Sequence, residues 1–171
     1  MRAFFALWPD DEGRAELHAR SIDAAARTLG RPVAFDKLHI TLVFLGDIDD
    51  RQATCLAAGA GRLAAGGLDL VMSRTGNWRK AKIAWLAPEA VPGPLGSLQE
   101  SLAGIARGCG VQLESRTYVP HLTLARGATV PLPDAPCAPV TLRFRGFCLV
   151  RSDLGSGRYE VIGRWPQRQE P

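Results

Sequence analysis

Three of the 171 residues are histidine, and two of the three carry the same neighbours. Leu38-His39-Ile40-Thr41-Leu42 recurs as Pro120-His121-Leu122-Thr123-Leu124, each copy inside an apolar run. Alternate residues of a strand share a face, so His39 and Thr41 point one way and Ile40, Leu42 and Phe44 the other. The second copy sets His121 and Thr123 against Leu122 and Leu124. Each strand therefore offers one apolar face to a core and one face bearing an imidazole and a hydroxyl. A single His-x-Thr in a strand is an ordinary polar edge; a matched pair is a candidate active site.

Two imidazoles titrating near neutrality can serve as acid and base in one reaction. One starts neutral and takes a proton from the nucleophile. The other starts protonated and gives one to the leaving group. The threonine hydroxyls can donate to an anion held between them. A phosphodiester suits such a site: it is anionic, it reacts in line, and hydrogen bonds and cations can stabilise its transition state without a metal. A metal site is the weaker reading, because neither histidine has an acidic residue two positions on and the chain has no H-E-x-x-H. His18 has no partner motif and reads as a surface or half-buried residue.

The elements that must carry these residues are legible around them. Residues 3–8 read as a buried strand, and Asp10 or Asp11 can cap a helix running to about Leu29, with Gly30 as its stop. Residues 39–45 form a strand. A second helix is expected from about Asp50 to Ala65, ended by Gly66-Gly67, and a third from about Pro94 to Arg107, where Leu95, Leu98, Leu102 and Ile105 recur at helical spacing. Further strands are expected at 68–75, 82–87, 119–125, 140–151 and 158–165, with a turn at residues 153–157. Helices and strands mix, and the late strands are close enough to pair antiparallel, so the class is α+β in one domain spanning 1–171.

Composition narrows the rest. The chain is 46% hydrophobic and 22% charged, as ordinary water-soluble domains are. It has no apolar run long enough to span a membrane and no leader-like start, so a cytoplasmic protein without a membrane partner is expected. Cys55, Cys109, Cys137 and Cys148 are widely spread with no C-x-x-C pair, which argues against a structural zinc site and against a disulfide-stapled secreted fold. The net charge of +4 permits an anionic partner without demanding one. The standard nucleotide-phosphate loops are absent.

At this point the residues resemble a known family, the 2H phosphoesterases, and within it the bacterial RNA 2′,3′-cyclic phosphodiesterases, also called 2′-5′ RNA ligases. The likeness rests on the two His-x-Thr signatures, about eighty residues apart, and covers nearly the whole chain. It extends from Arg2-Ala3-Phe4-Phe5-Ala6-Leu7 through Ala81-Lys82-Ile83-Ala84-Trp85-Leu86 to Tyr159-Glu160-Val161. The resemblance implies a bilobal α+β fold: two antiparallel sheets face each other across a central cleft, helices lie outside, and each lobe supplies one motif. It implies hydrolysis of an RNA-terminal 2′,3′-cyclic phosphate to a 2′-phosphate without cofactor or metal, with reverse 2′-5′ ligation as a side activity. The partner is then RNA bearing that terminus, such as tRNA fragments, and the enzyme acts as a monomer. By carry-over His39 is the proton donor, His121 the proton acceptor, and Thr41 and Thr123 bind the phosphate.

Arg126 matches the family's basic residue after the second motif, although strict alternation puts it on the face opposite His121. Of the 21 basic residues 18 are arginine, the better type for planar phosphate contact. Arg74, Arg79, Lys80 and Lys82 cluster around the middle loop, and Arg143, Arg145 and Arg151 share a strand face by parity. Phe5 and Tyr159 are the substrate-binding aromatics expected, with Trp78 and Tyr118 as further stacking candidates. Alternatives kept open are a phosphodiesterase of small cyclic nucleotides or ADP-ribose cyclic phosphate, and a non-catalytic nucleotide- or RNA-binding module.

Overall fold

The computed structural model describes residues 1–63, 67–153 and 155–166. Nine strands and three helices alternate along it. In order they are β1 (Arg2–Leu7), α1 (Asp11–Thr28), β2 (Arg31–Pro32), β3 (Ile40–Asp47), α2 (Asp50–Ala60), β4 (Leu68–Trp78), β5 (Ile83–Ala87), α3 (Gly93–Gly108), β6 (Leu122–Arg126), β7 (Ala135–Phe144), β8 (Gly146–Ser152) and β9 (Tyr159–Pro166). Every strand pairing is antiparallel. The sheet runs β7-β4-β5-β6-β3-β1-β8-β9, with β2 added on β6. The expected α+β class is therefore present, but the two expected sheets form one open, continuous sheet. Its halves meet at β3 and β6 through a single pair, Ile40 with Leu122.

The helices start and stop for local reasons. Asp10 caps α1 by accepting from the Gly13 N–H at 2.8 Å. Asp49 and Gln52 close a reciprocal capping box on α2, at 2.7 and 3.1 Å. The end of α1 differs from expectation. Leu29, not Gly30, takes the left-handed cap (φ 52°), with its side chain 71% exposed. Gly30 is needed for a different reason: a Cβ there would lie 3.0 Å from the Arg126 carbonyl oxygen. The second helix ends at Ala60, before the expected Ala65; residues 64–66 lie outside the described residues, as does Leu154 in the expected final turn.

Helix α1 packs against β6, β5 and β7, and α3 against β3 and α2. The main core fills the space between helices and sheet, with Phe5, Leu7, Leu17, Ile40, Leu56, Leu102, Leu122, Leu142 and Phe147 buried in it. A smaller cluster of Phe4, Ala6, Cys148 and Val150 covers the opposite face of β1 and β8.

Three expectations are corrected here. Cys55 of α2 and Cys109 at the end of α3 are joined by a disulfide, although 54 residues separate them. Packing of the two helices brings them together, which sequence spacing does not reveal; Cys137 and Cys148 are free. The single strand expected at 140–151 is broken at Arg145, which separates β7 from β8. Arg143 and Arg151 thus stand on different strands. Arg143 lies across from Asp69 on β4, while Arg151 is ion-paired with Glu160 and has the parity of core-facing Leu149. No helix among the described residues is long and apolar enough to cross a membrane.

Candidate active site

The Ile40–Leu122 pair is the centre of the site. Strands β3 and β6 are antiparallel, so continuing this register sets His39 beside Thr123 and Thr41 beside His121. The two motifs are related by a local two-fold axis through the pair. Ile40 and Leu122 point into the core and are fully buried, which leaves both histidines and both threonines on the other face, all half-buried.

Both imidazoles are oriented alike. His39 Nδ1 lies 2.6 Å from the Lys37 carbonyl oxygen, and His121 Nδ1 lies 2.8 Å from that of Val119. A carbonyl only accepts, so Nδ1 carries the hydrogen and donates it. In each neutral ring Nε2 is then the free basic nitrogen, the atom available for proton transfer.

Their surroundings differ. His39 is boxed by aromatic rings: Trp8 parallel to it at 5.3 Å and 9°, Phe4 at 4.9 Å and 28°, and Tyr159 edge-on at 5.5 Å. Desolvation inside this box lowers its pKa to about 4; the Lys37 carbonyl opposes the shift, and the charge of Arg126 adds to it. His121 meets the edge of Trp78 at 4.3 Å, and its pKa is lowered too, first by desolvation. Tyr118 bridges the halves, donating to the Thr41 carbonyl at 3.3 Å, and burial raises its pKa.

Arg126 reaches this face because β6 contains a bulge. Ala84 pairs with Ala125 and Trp85 with Thr123, so Leu124 is an extra residue. One inserted residue inverts the alternation beyond it. Arg126 thereby joins the face of Thr123, contrary to strict parity. The bulge is fastened from behind: buried Ser21 of α1 donates to the Leu124 carbonyl at 2.5 Å, and the Val33 N–H reaches the same oxygen at 3.1 Å. His39, Thr123, Arg126, Lys37 and Tyr159 together line a hollow of about 270 Å³. His121 and Thr41 stand beside it rather than in its wall.

Phe5 is a correction. It is 0% exposed and packs edge-on to Phe147 and Trp165 in the core. Its neighbours Phe4 and Trp8 lie on the histidine face instead and stack on His39. Alternation along β1 separates Phe4 from Phe5, but nothing in the sequence says which set faces the helices. Phe44 is corrected in the same way. A bulge at Leu42 puts Val43 in the core and returns Phe44 to the face of Thr41, beneath the Arg2 guanidinium at 4.8 Å. Of the other candidates, Tyr159 and Trp78 touch the histidines, and His18 only packs edge-on to Phe35. Arg74 is held by Glu89 and Asp134. Lys37, Phe4 and Trp8 are the site residues that sequence reasoning missed. Among the described residues, no group of three or more His, Cys, Asp or Glu side chains converges as a metal site requires.

Comparison with known proteins follows the same lines. Residues 9–154 match the model of the 2′-5′ RNA ligase superfamily. The chain belongs to this family. It is 32% identical to the RNA 2′,3′-cyclic phosphodiesterase of Escherichia coli, with 98% of this chain and 97% of that one covered. The enzyme of the same name from Thermus thermophilus is 28% identical over 90% of this chain and 83% of its own. Among solved structures, E. coli LigT complexed with 3′-AMP superposes with a TM-score of 0.87 at 30% identity, covering 98% of both chains. The 2′-5′ RNA ligase fold is thus shared over nearly the full length, including both signature strands.

Proposed function

We propose that the protein hydrolyses RNA-terminal 2′,3′-cyclic phosphate to a 2′-phosphomonoester, as a monomeric, bilobal catalytic unit acting without a metal. The observation that carries this reading is the Ile40–Leu122 junction, which sets two identically oriented imidazoles about one local two-fold axis. A cyclic phosphate seated on that axis has one Nε2 on each side. His121 takes a proton from water as the water oxygen attacks phosphorus. The bond from phosphorus to the 3′ oxygen breaks, and His39 gives its Nε2 proton to that oxygen. Water is consumed, a free 3′-hydroxyl and a 2′-phosphate result, and the histidines exchange roles until solvent resets them.

Both lowered pKa values leave the imidazoles neutral in the empty site at neutral pH, which suits His121 as base. His39 as acid must gain its proton when the substrate arrives, and the negative phosphodiester is the charge that favours this. Thr41, Thr123 and Arg126 are the phosphate ligands in this reading. Tyr159 and Trp8 form the platform for the terminal base. Family membership and the names of the relatives support the reaction class, and reverse 2′-5′ joining is the same chemistry run backward. An RNA substrate points to a cytoplasmic setting.

The test is turnover of an oligonucleotide ending in 2′,3′-cyclic phosphate in the presence of chelator, with the product identified as 2′- or 3′-phosphate. His39→Ala and His121→Ala should each lower kcat by about 10²–10⁴-fold, the usual contribution of general acid–base catalysis. Loss of turnover with chelator, or near-normal rates in either variant, would refute the mechanism.

A further inference from the structure

A second hollow, of about 350 Å³, lies on the His121 side of the site. Trp78 lines it, and the Trp78 ring meets His121 edge-on at 4.3 Å. Arg79, Lys82, Ile83, Asn77 and Thr129 line the rest. The volume is in the range of small-ligand sites. Arg79 and Lys82 are exposed, and among the described residues neither has a carboxylate within ion-pair distance. Arg74, earlier on β4, is by contrast tied to two carboxylates.

The backbone at Lys82 is a second, independent observation. Its φ is +52°, a left-handed conformation that costs a side-chain-bearing residue about 1–2 kcal/mol. Two hydrogen bonds hold it there: Lys82 N–H to the Arg79 carbonyl at 3.2 Å, and Ala128 N–H to the Lys82 carbonyl at 3.0 Å. Glycine would take this conformation freely. A lysine at a strained position beside an active site points to use of its side chain.

We propose that this hollow binds the nucleotide on the 5′ side of the cyclic phosphate, so that the enzyme favours an RNA end over a free cyclic mononucleotide. Arg79 and Lys82 hold the phosphodiester, and Trp78 and Ile83 pack against the sugar and base. A single strand is commonly gripped this way, with cations tracking the backbone and an aromatic ring under a base. The inference rests on the cyclic phosphodiesterase reading above.

The experiment compares a cyclic-phosphate-ended oligonucleotide with a 2′,3′-cyclic mononucleotide, using the wild type and the double variant Arg79→Ala, Lys82→Gly. The glycine relieves the strained backbone while removing the charge, so folding is retained. The double variant Arg51→Ala, Arg107→Ala, at exposed residues of α2 and α3, controls for the loss of two charges. KM for the oligonucleotide should rise about tenfold in the double variant at unchanged kcat. The slope of log affinity against log salt should flatten by about 0.7, for one neutralised phosphate on a single strand. The mononucleotide constants should not move. An equal loss on both substrates, or no loss on the oligonucleotide, would overturn the inference. Fluorescence anisotropy of the labelled oligonucleotide separates the two readings. Absent turnover with binding that still depends on Arg79 and Lys82 would count against the reaction and for the site, whereas binding indifferent to them would sink the site.

Discussion

The aromatic box around His39 makes a quantitative prediction about stability and pH. In the unfolded chain this imidazole titrates at its ordinary 6.5; in the folded protein desolvation lowers it to about 4. Between those values the folded state refuses a proton that the unfolded state accepts, so unfolding takes up a proton and is favoured as pH falls. The contribution of His39 is complete above pH 6.5 and is lost as pH drops from there through 4. The full difference corresponds to about 3 kcal/mol, of which about 2 kcal/mol is spent between pH 7 and pH 5. His121 acts in the same direction, so the clean measure is the difference between wild type and His39→Gln, which keeps a polar group without the titration. Urea unfolding at pH 7 and pH 5 reads it through the midpoint at constant slope. The wild type should lose about 2 kcal/mol more than the variant over that interval. Parallel losses in the two proteins would refute the claim that the box of Trp8, Phe4 and Tyr159 holds His39 neutral.

Three further outcomes follow from named contacts. Ser21→Ala leaves the bulge carbonyl of Leu124 with one hydrogen bond in place of two, so stability should fall by about 1–3 kcal/mol, and KM should rise through Arg126, read by urea midpoints and steady-state kinetics. Leu29→Gly removes a side chain from a left-handed cap where it is almost fully solvated; the melting temperature should rise, by a stabilisation of up to about 1 kcal/mol, with activity unchanged. Reducing the Cys55–Cys109 bridge frees a closed loop of 54-residue separation, which chain entropy values at up to about 4 kcal/mol. Calorimetry with and without reductant should show the drop, while activity below the melting transition stays the same because neither cysteine touches the cleft.

The chemistry of the site was legible because it is local. A His-x-Thr step needs only the two-residue repeat of a strand to put imidazole and hydroxyl on one face, and the matched second copy supplies the partner. The three helices were legible for the same reason: caps such as Asp10 and leucines at helical spacing act within a few residues. Register was not local. Arg126 and Phe44 were both placed on the wrong face by strict alternation, because bulges at Leu124 and Leu42 each insert one residue. Those bulges are set by partner strands and, at Leu124, by Ser21 more than a hundred residues away.

Phe5 and the cysteines show the same limit from the side of packing. Along β1 the sequence separates Phe4 and Trp8 from Phe5 and Leu7, but which set is buried depends on where α2 and α3 lie. Those helices cover the Phe5 face, so Phe5 packs with Phe147 and Trp165 while Phe4 and Trp8 are left to enclose His39. The same helix pairing brings Cys55 to Cys109. The sequence by itself determined which side chains can move protons and the strand alternation that presents them. Only the tertiary structure decided how they meet, which aromatics box His39, how its pKa falls, and that Arg126 reaches their face. Side-chain direction within a strand is a property of adjacent residues, whereas burial, register shifts and the field at a titrating group are sums over neighbours that only folding brings close.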